Sequence, residues 1–194
     1  TGMDAFIHAL ETYIGRWANA YTDQLALAAL NTIWQMLPRA TANGADLAAR
    51  QAMLLAATWA GTAMDHAGLG LIHSLSGPLT GHLHLHHGLT NALLLPYVMR
   101  FNLPAVSEAR RKILNELFGL PTEAGLETLV NTLAQFVDKL GLPTRLQDLA
   151  VPLSGVNWEA IAEETTRMVL IRNNPRAVSV ADCRDILTEM LQAQ

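Results

Sequence analysis

Cysteine is nearly missing from the 194 residues: Cys183 stands alone. No disulfide framework can form within the chain, and a lone thiol fits a reducing setting, so a cytoplasmic location is expected. Charge is scarce as well. Asp, Glu, Lys and Arg make up 15% of the residues, with a formal net charge of −4. Such a balance excludes the basic footprint of a nucleic-acid binder. Hydrophobic residues reach 51%, yet no uninterrupted apolar run attains the roughly 18 residues of a membrane span, so no membrane partner is expected. The opening "TGMDAFIHALETY" has neither a basic n-region nor a cleavage site and does not read as a signal peptide. It starts abruptly on an amphipathic helix, and the chain is expected to be a piece of a longer protein. No convincing strand is read in the chain either.

Helical periodicity fills the chain instead, and the reading is a single all-α domain, a helical bundle, over 1–194. Met3 to Arg16 spaces Ile7, Leu10 and Ile14 along one face. Thr22 or Asp23 is a candidate cap for a second helix, which Pro38 should stop near Leu37. Asp46 to Met64 carries no charge between Gln51 and Ala63 and is expected to be buried on all sides. A short buried helix is expected at 69–76, ended by Gly77-Pro78, with a loop after it. The next should start near Gly88 and kink at Pro96. Further helices are expected at 105–118, 122–140, 156–171 and 179–192. "GLPT" recurs at 119–122 and 141–144, where it reads as a capping glycine followed by a turn, not a repeat.

The stretch "AGLGLIHSLSGPLTGHLHLHHGLTN" holds five of the seven histidines: His73, His82, His84, His86 and His87. Far upstream, Asp4 and His8 lie four apart, one helical turn, so both side chains can reach one ion. Taken alone the pair is weak, and a hydrogen-bonded Asp–His contact is the plainer explanation of it. His73 falls on an apolar helix and His87 precedes Gly88, where another begins; the glycines between them let two imidazoles converge. Singly, each histidine reads as a core residue satisfied by a carbonyl, or as part of a solvated loop. Jointly, one carboxylate and three imidazoles form a donor set suited to Fe²⁺ or Zn²⁺. His82, His84 and His86 alternate with leucines and read as lining a cleft or facing solvent. His66 lies near the same pocket or simply ends a helix.

Together these segments resemble the iron-containing, metal-dependent (group III) alcohol dehydrogenases, whose C-terminal domain is helical, in a dehydroquinate synthase-like fold. "TGMDAFIHALE" is similar to that family's metal-binding helix. "AGLGLIHSLSGPLTGHLHLHHGLTNALLLPYVMRFN" is similar to its signature segment, and "NNPR", Asn173 to Arg176, to its C-terminal Asn-Pro-Arg element. Residue by residue, the resemblance places the four metal ligands at Asp4, His8, His73 and His87. It implies NAD(P)-dependent interconversion of an alcohol and an aldehyde or ketone, with a divalent metal activating the substrate oxygen.

Two departures stand out. The family's Gly-Gly-Gly-Ser phosphate loop and its N-terminal nucleotide-binding domain have no counterpart here, so NAD or NADP is expected to bind through a missing domain. Many members also carry a proton-relay histidine four residues after the third ligand, where this chain has Gly77; His82, His84 or a water are the alternatives. Met64 and Leu170 are candidate pocket-lining residues, with core packing as the plain alternative. Low charge near the motifs favours a small neutral alcohol or aldehyde. A domain parted from its partner exposes apolar surface, so a homodimer or higher oligomer is expected. Two other readings are a helical metal-binding or interaction module without turnover, and a related oxo-acid or semialdehyde reductase.

Overall fold

The computed structural model describes residues 1–149 and 151–192. They form nine α-helices: α1 (Gly2–Ile14), α2 (Ala20–Ala42), α3 (Leu47–Ala67), α4 (Leu71–Leu83), α5 (His87–Asn102), α6 (Glu108–Leu117), α7 (Leu126–Lys139), α8 (Trp158–Arg167) and α9 (Val180–Gln192). Short 3₁₀ turns lie at Leu103–Ala105, Leu146–Asp148 and Val169–Asn173. The described residues contain no strand, and the all-α expectation holds.

α1 is the hub. From Ala5 to Ile14 every side chain except His8 is buried, because α2, α3 and α5 pack around it. Phe6 joins Trp34, Phe118 and Phe136 in an aromatic box with centroids 4.3–6.3 Å apart, within the range where ring pairs attract. After Gly2, Asp4 and His8 are the half-open positions on this helix, so burial leaves the polar pair on the one face that can reach α4 and α5.

Several boundaries differ from the sequence reading. The cap of α2 is Asn19, not Thr22 or Asp23: its Oδ1 accepts from Tyr21 N–H and Thr22 N–H, and its own N–H donates to Thr22 Oγ1. Pro38 does not stop α2, which continues to Ala42. The turn beyond it is held by Thr41 Oγ1 donating to Leu37 O at 2.9 Å and by Arg39 reaching Asp46, the cap of α3, at 2.9 Å. α4 likewise passes through Gly77-Pro78. Leu75, Pro78, Leu79 and Leu83 are buried against α5 and α8, and tertiary packing outweighs the local penalty of the proline. The expected 156–171 helix ends at Arg167, with a 3₁₀ turn following.

α3 is not buried on all sides. Its inward face is a seam of Ala49, Ala56, Ala60, Ala63 and Ala67, while Leu47 and Leu54 are 76% and 73% exposed. Missing charge marks a small-residue contact with α1 and α2, not envelopment.

"NNPR" ties both ends of the site scaffold. Asn173 Oδ1 accepts from Trp17 N–H at 2.8 Å, just beyond α1. Asn174 Oδ1 accepts from Leu71 N–H at 3.1 Å, at the start of α4, and from Asn102 Nδ2 at 2.9 Å. Its Nδ2 donates back to Asn102 Oδ1 at 2.8 Å.

Candidate metal centre

Three helix segments meet at Asp4. Asp4, His8 and His73 each offer one donor atom, and these lie within 4.8 Å of one another. His8 Nε2 is 3.9 Å from Asp4 Oδ2, and His73 Nε2 is 3.6 Å from Asp4 Oδ1. His87 Nε2 is 3.5 Å from the same oxygen. The rings of His8 and His73 stack at 4.7 Å, and those of His73 and His87 tilt at 5.4 Å. The structure therefore brings together all four residues that the sequence motifs single out. His73 is buried; the His87 side chain is 44% exposed and forms the open edge.

The outer nitrogens are occupied separately. His73 Nδ1 lies 2.7 Å from Glu11 Oε2, and His87 Nδ1 lies 3.0 Å from Ser76 Oγ. With Nδ1 engaged outward, each Nε2 is the atom turned to Asp4. Asn91, one turn beyond His87 on α5, places its amide among them. Its Nδ2 donates to Asp4 Oδ1 at 2.7 Å and stands 3.1 Å from both His73 Nε2 and His87 Nε2. An amide nitrogen has two protons for these three acceptors, and Asn91 Oδ1 is itself buried without a partner among the described residues. Lone pairs exceed protons here, and a cation is what such a donor set fits.

Charge follows geometry. Burial works against ionising Asp4, but hydrogen bonding from His73 and the charge of His8 hold its carboxyl well below the usual carboxylate range. Burial also works against charging His73, yet Asp4 and Glu11 prevail and push it up to about 9. Burial, then neighbouring His73, lowers His8. In His87 burial lowers the pKa too, against the pull of Asp4. A cation entering the site would therefore displace a proton from His73, whereas burial already favours the neutral forms of His8 and His87.

The remaining candidates lie elsewhere. His82, in the last turn of α4, pairs with Glu164 at 3.1 Å in the wall of a cleft of about 570 Å³ that also includes Gly77, Gly81 and Met168. His84 ends α4 in the left-handed region, φ 52°, and is exposed, as is His86 at the N-cap of α5. His66 closes α3, with Nδ1 2.8 Å from Thr62 O and its ring against Tyr21. Met64 and Leu170 are half-buried and do not line the Gly77 cleft. Glu11 and Asn91 went unread in the sequence, although Asp4, His8 and Glu11 share the i, i+4, i+7 face of one helix.

Residues 1–191 match the Fe-containing alcohol dehydrogenase family, C-terminal. The NAD-dependent methanol dehydrogenase of Bacillus methanolicus is 36% identical over 195 residues, covering 98% of this chain and 51% of that protein. The alcohol dehydrogenase of Oenococcus oeni superposes with a TM-score of 0.89 at 32% identity, covering 98% of this chain and 50% of that one. Maleylacetate reductase from Rhizobium sp. superposes with a TM-score of 0.81 at 29% identity, covering 98% and 51%. The chain spans about half the length of the curated relatives it matches.

Proposed function

The chain belongs to the Fe-containing alcohol dehydrogenase family, whose C-terminal part it matches, and from that premise we propose that it is the metal-bearing part of an NAD(P)-dependent alcohol dehydrogenase. The observation that carries this reading is the convergence of three imidazole Nε2 atoms on the carboxylate of Asp4. In this reading Asp4, His8, His73 and His87 hold one divalent cation, Fe²⁺ or alternatively Zn²⁺. When bound, that ion acts as a Lewis acid on the substrate oxygen.

The chain's own residues set the rest. Asp4 supplies the fixed negative charge, and Asn91 restrains one of its oxygens. His73, buried between Asp4 and Glu11, closes the inner side to water, whereas His87 leaves the outer side open. Gly77, one turn from His73 on α4, opens onto the cleft beside Met168, the place we assign to a small neutral alcohol or aldehyde. His82 and His84 remain candidates for moving a proton; His82 has a carboxylate partner in that cleft and His84 does not. The nucleotide would bind through a domain outside these 194 residues. Among the described residues no helix is long and apolar enough to cross a membrane, and a cytoplasmic place fits the lone buried thiol. Leu47, Leu54 and Leu55, exposed on α3, support self-association as a homodimer or higher oligomer.

A related reductase acting on an oxo-acid is the second reading, supported by the likeness to maleylacetate reductase. Metal analysis tests the site that both readings share. Purified Asp4→Ala, His73→Ala and His87→Ala chains should each lose stoichiometric metal while keeping the helical circular-dichroism signal. Full metal content in all three would overturn the assignment.

A further inference from the structure

Glu11 is a buried charge with no place in the ligand set. It lies in the middle of α1 and is 1% exposed. An isolated carboxylate there would be strongly unfavourable, so its partners explain its presence. Oε1 accepts from Ile72 N–H at 2.6 Å; Oε2 accepts from Gly70 N–H at 3.1 Å and from His73 N–H at 3.4 Å. These are free donors of the first turn of α4, where an anion is favoured. The same Oε2 lies 2.7 Å from His73 Nδ1. One carboxylate thus grips both the backbone that carries His73 and the ring itself. The fit is close: a Cβ at Gly70 would come 3.0 Å from Glu11 Oε1.

We propose that Glu11 is a positioning residue that holds His73 as its Nδ1–H tautomer and so turns the Nε2 lone pair toward Asp4. A carboxylate only accepts, so the ring nitrogen facing Glu11 must carry the proton. A neutral imidazole then has its lone pair on Nε2, which is 3.6 Å from Asp4 Oδ1. Metal-ligating histidines gain orientation and basicity from such an outer partner. The proposal rests on the metal-centre reading.

The test uses the 194-residue chain and Zn²⁺ as the probe. In the zinc-loaded wild type, nitrogen-15 NMR of His73 should show a protonated Nδ1 and a metal-bound Nε2. Glu11→Gln keeps the side-chain shape but can present an amide N–H to Nδ1, which favours the opposite tautomer. Its zinc affinity, measured by chelator competition where the chain remains folded, should fall about 10- to 100-fold. Glu11→Asp, which restores an acceptor at a shorter reach, should recover part of that loss. A merely structural anchor would lower the urea midpoint and leave the zinc affinity of the folded chain and the ring tautomer unchanged; that result overturns the proposal. Should Glu11→Gln not fold, the wild-type spectrum decides alone: a metal-bound Nδ1 refutes the assignment. If the wild-type chain takes up no zinc, the metal reading falls and this inference with it. Wild-type uptake with unchanged affinity in Glu11→Gln removes only the inference.

Discussion

Two glycines show how little of a residue's role its identity conveys. At Gly15, an added Cβ would come 2.4 Å from Asn173 Nδ2, within the contact that joins the end of α1 to the "NNPR" segment. Gly15→Ala should therefore destabilise the chain by about 1–3 kcal/mol, as overpacking does, read as a lower urea midpoint. At Gly77, the nearest atom to an added Cβ is Met168 Cε at 3.4 Å, an ordinary contact. Gly77→Ala sits inside a helix and should stabilise it by about 0.5–1 kcal/mol, raising the same midpoint. Asp4 and His8 were legible as a pair from their one-turn spacing, but joining them to His73 and His87, far along the chain, rested on the family resemblance of the two segments. Glu11 sits on the same helix face but reads as a solvated carboxylate until α4 is known to end against it. Asn91 was hidden for a similar reason: besides His87 on its own helix, its partners come from α1 and α4, up to 87 residues away.

Among the helices, existence was legible, and burial was legible at 69–76 but not in α3. Apolar periodicity marked α1, α7 and α9, whose inner faces are continuous. The breaks expected at Pro38 and at Gly77-Pro78 failed, because a proline removes one hydrogen bond while the surrounding packing contributes many contacts. α3 misled differently: uncharged Ala-rich sequence suits a close seam as well as a buried core. Two variants separate these roles. Ala60→Leu would force three additional carbons into the seam facing α1 and α2 and should cost about 1–3 kcal/mol. Leu54→Lys, on the exposed side, should change stability by no more than about 0.5 kcal/mol. Urea unfolding of both against the parent chain measures the contrast; equal losses would mean that the outward face of α3 is packed after all.

The molecule as a whole should respond to its ion and to alkali. A cation bound only by the folded chain stabilises it by about 4.1 kcal/mol at a free concentration a thousand times Kd. Zinc should therefore raise the thermal midpoint, and a chelator should reverse the rise. In alkali the buried thiol of Cys183 acts in the opposite direction. Burial pushes its pKa from 9.0 up to about 12. Below the lower value both states hold the proton and nothing changes. Above it the unfolded chain loses the proton while the native chain keeps it, so stability falls by up to about 1.4 kcal/mol per pH unit. Cys183→Ala should remove much of that decline, seen in urea midpoints taken at about pH 8 and about pH 10. Burial raises Tyr13 and Tyr97 in the same sense and leaves them to add their share at higher pH.

The Asn174 carboxamide has a consequence in time. It reaches Leu71 across 103 residues and Asn102 across 72. Synthesis runs from the N-terminus, so a chain growing from the ribosome exposes Asp4, His8, His73 and His87 well before the amide that fixes the backbone beneath His73. Until the Asn174 segment emerges, Glu11 holds the start of α4 without this second tie, and we expect the four donors to be less firmly placed for a cation than in the full 194 residues.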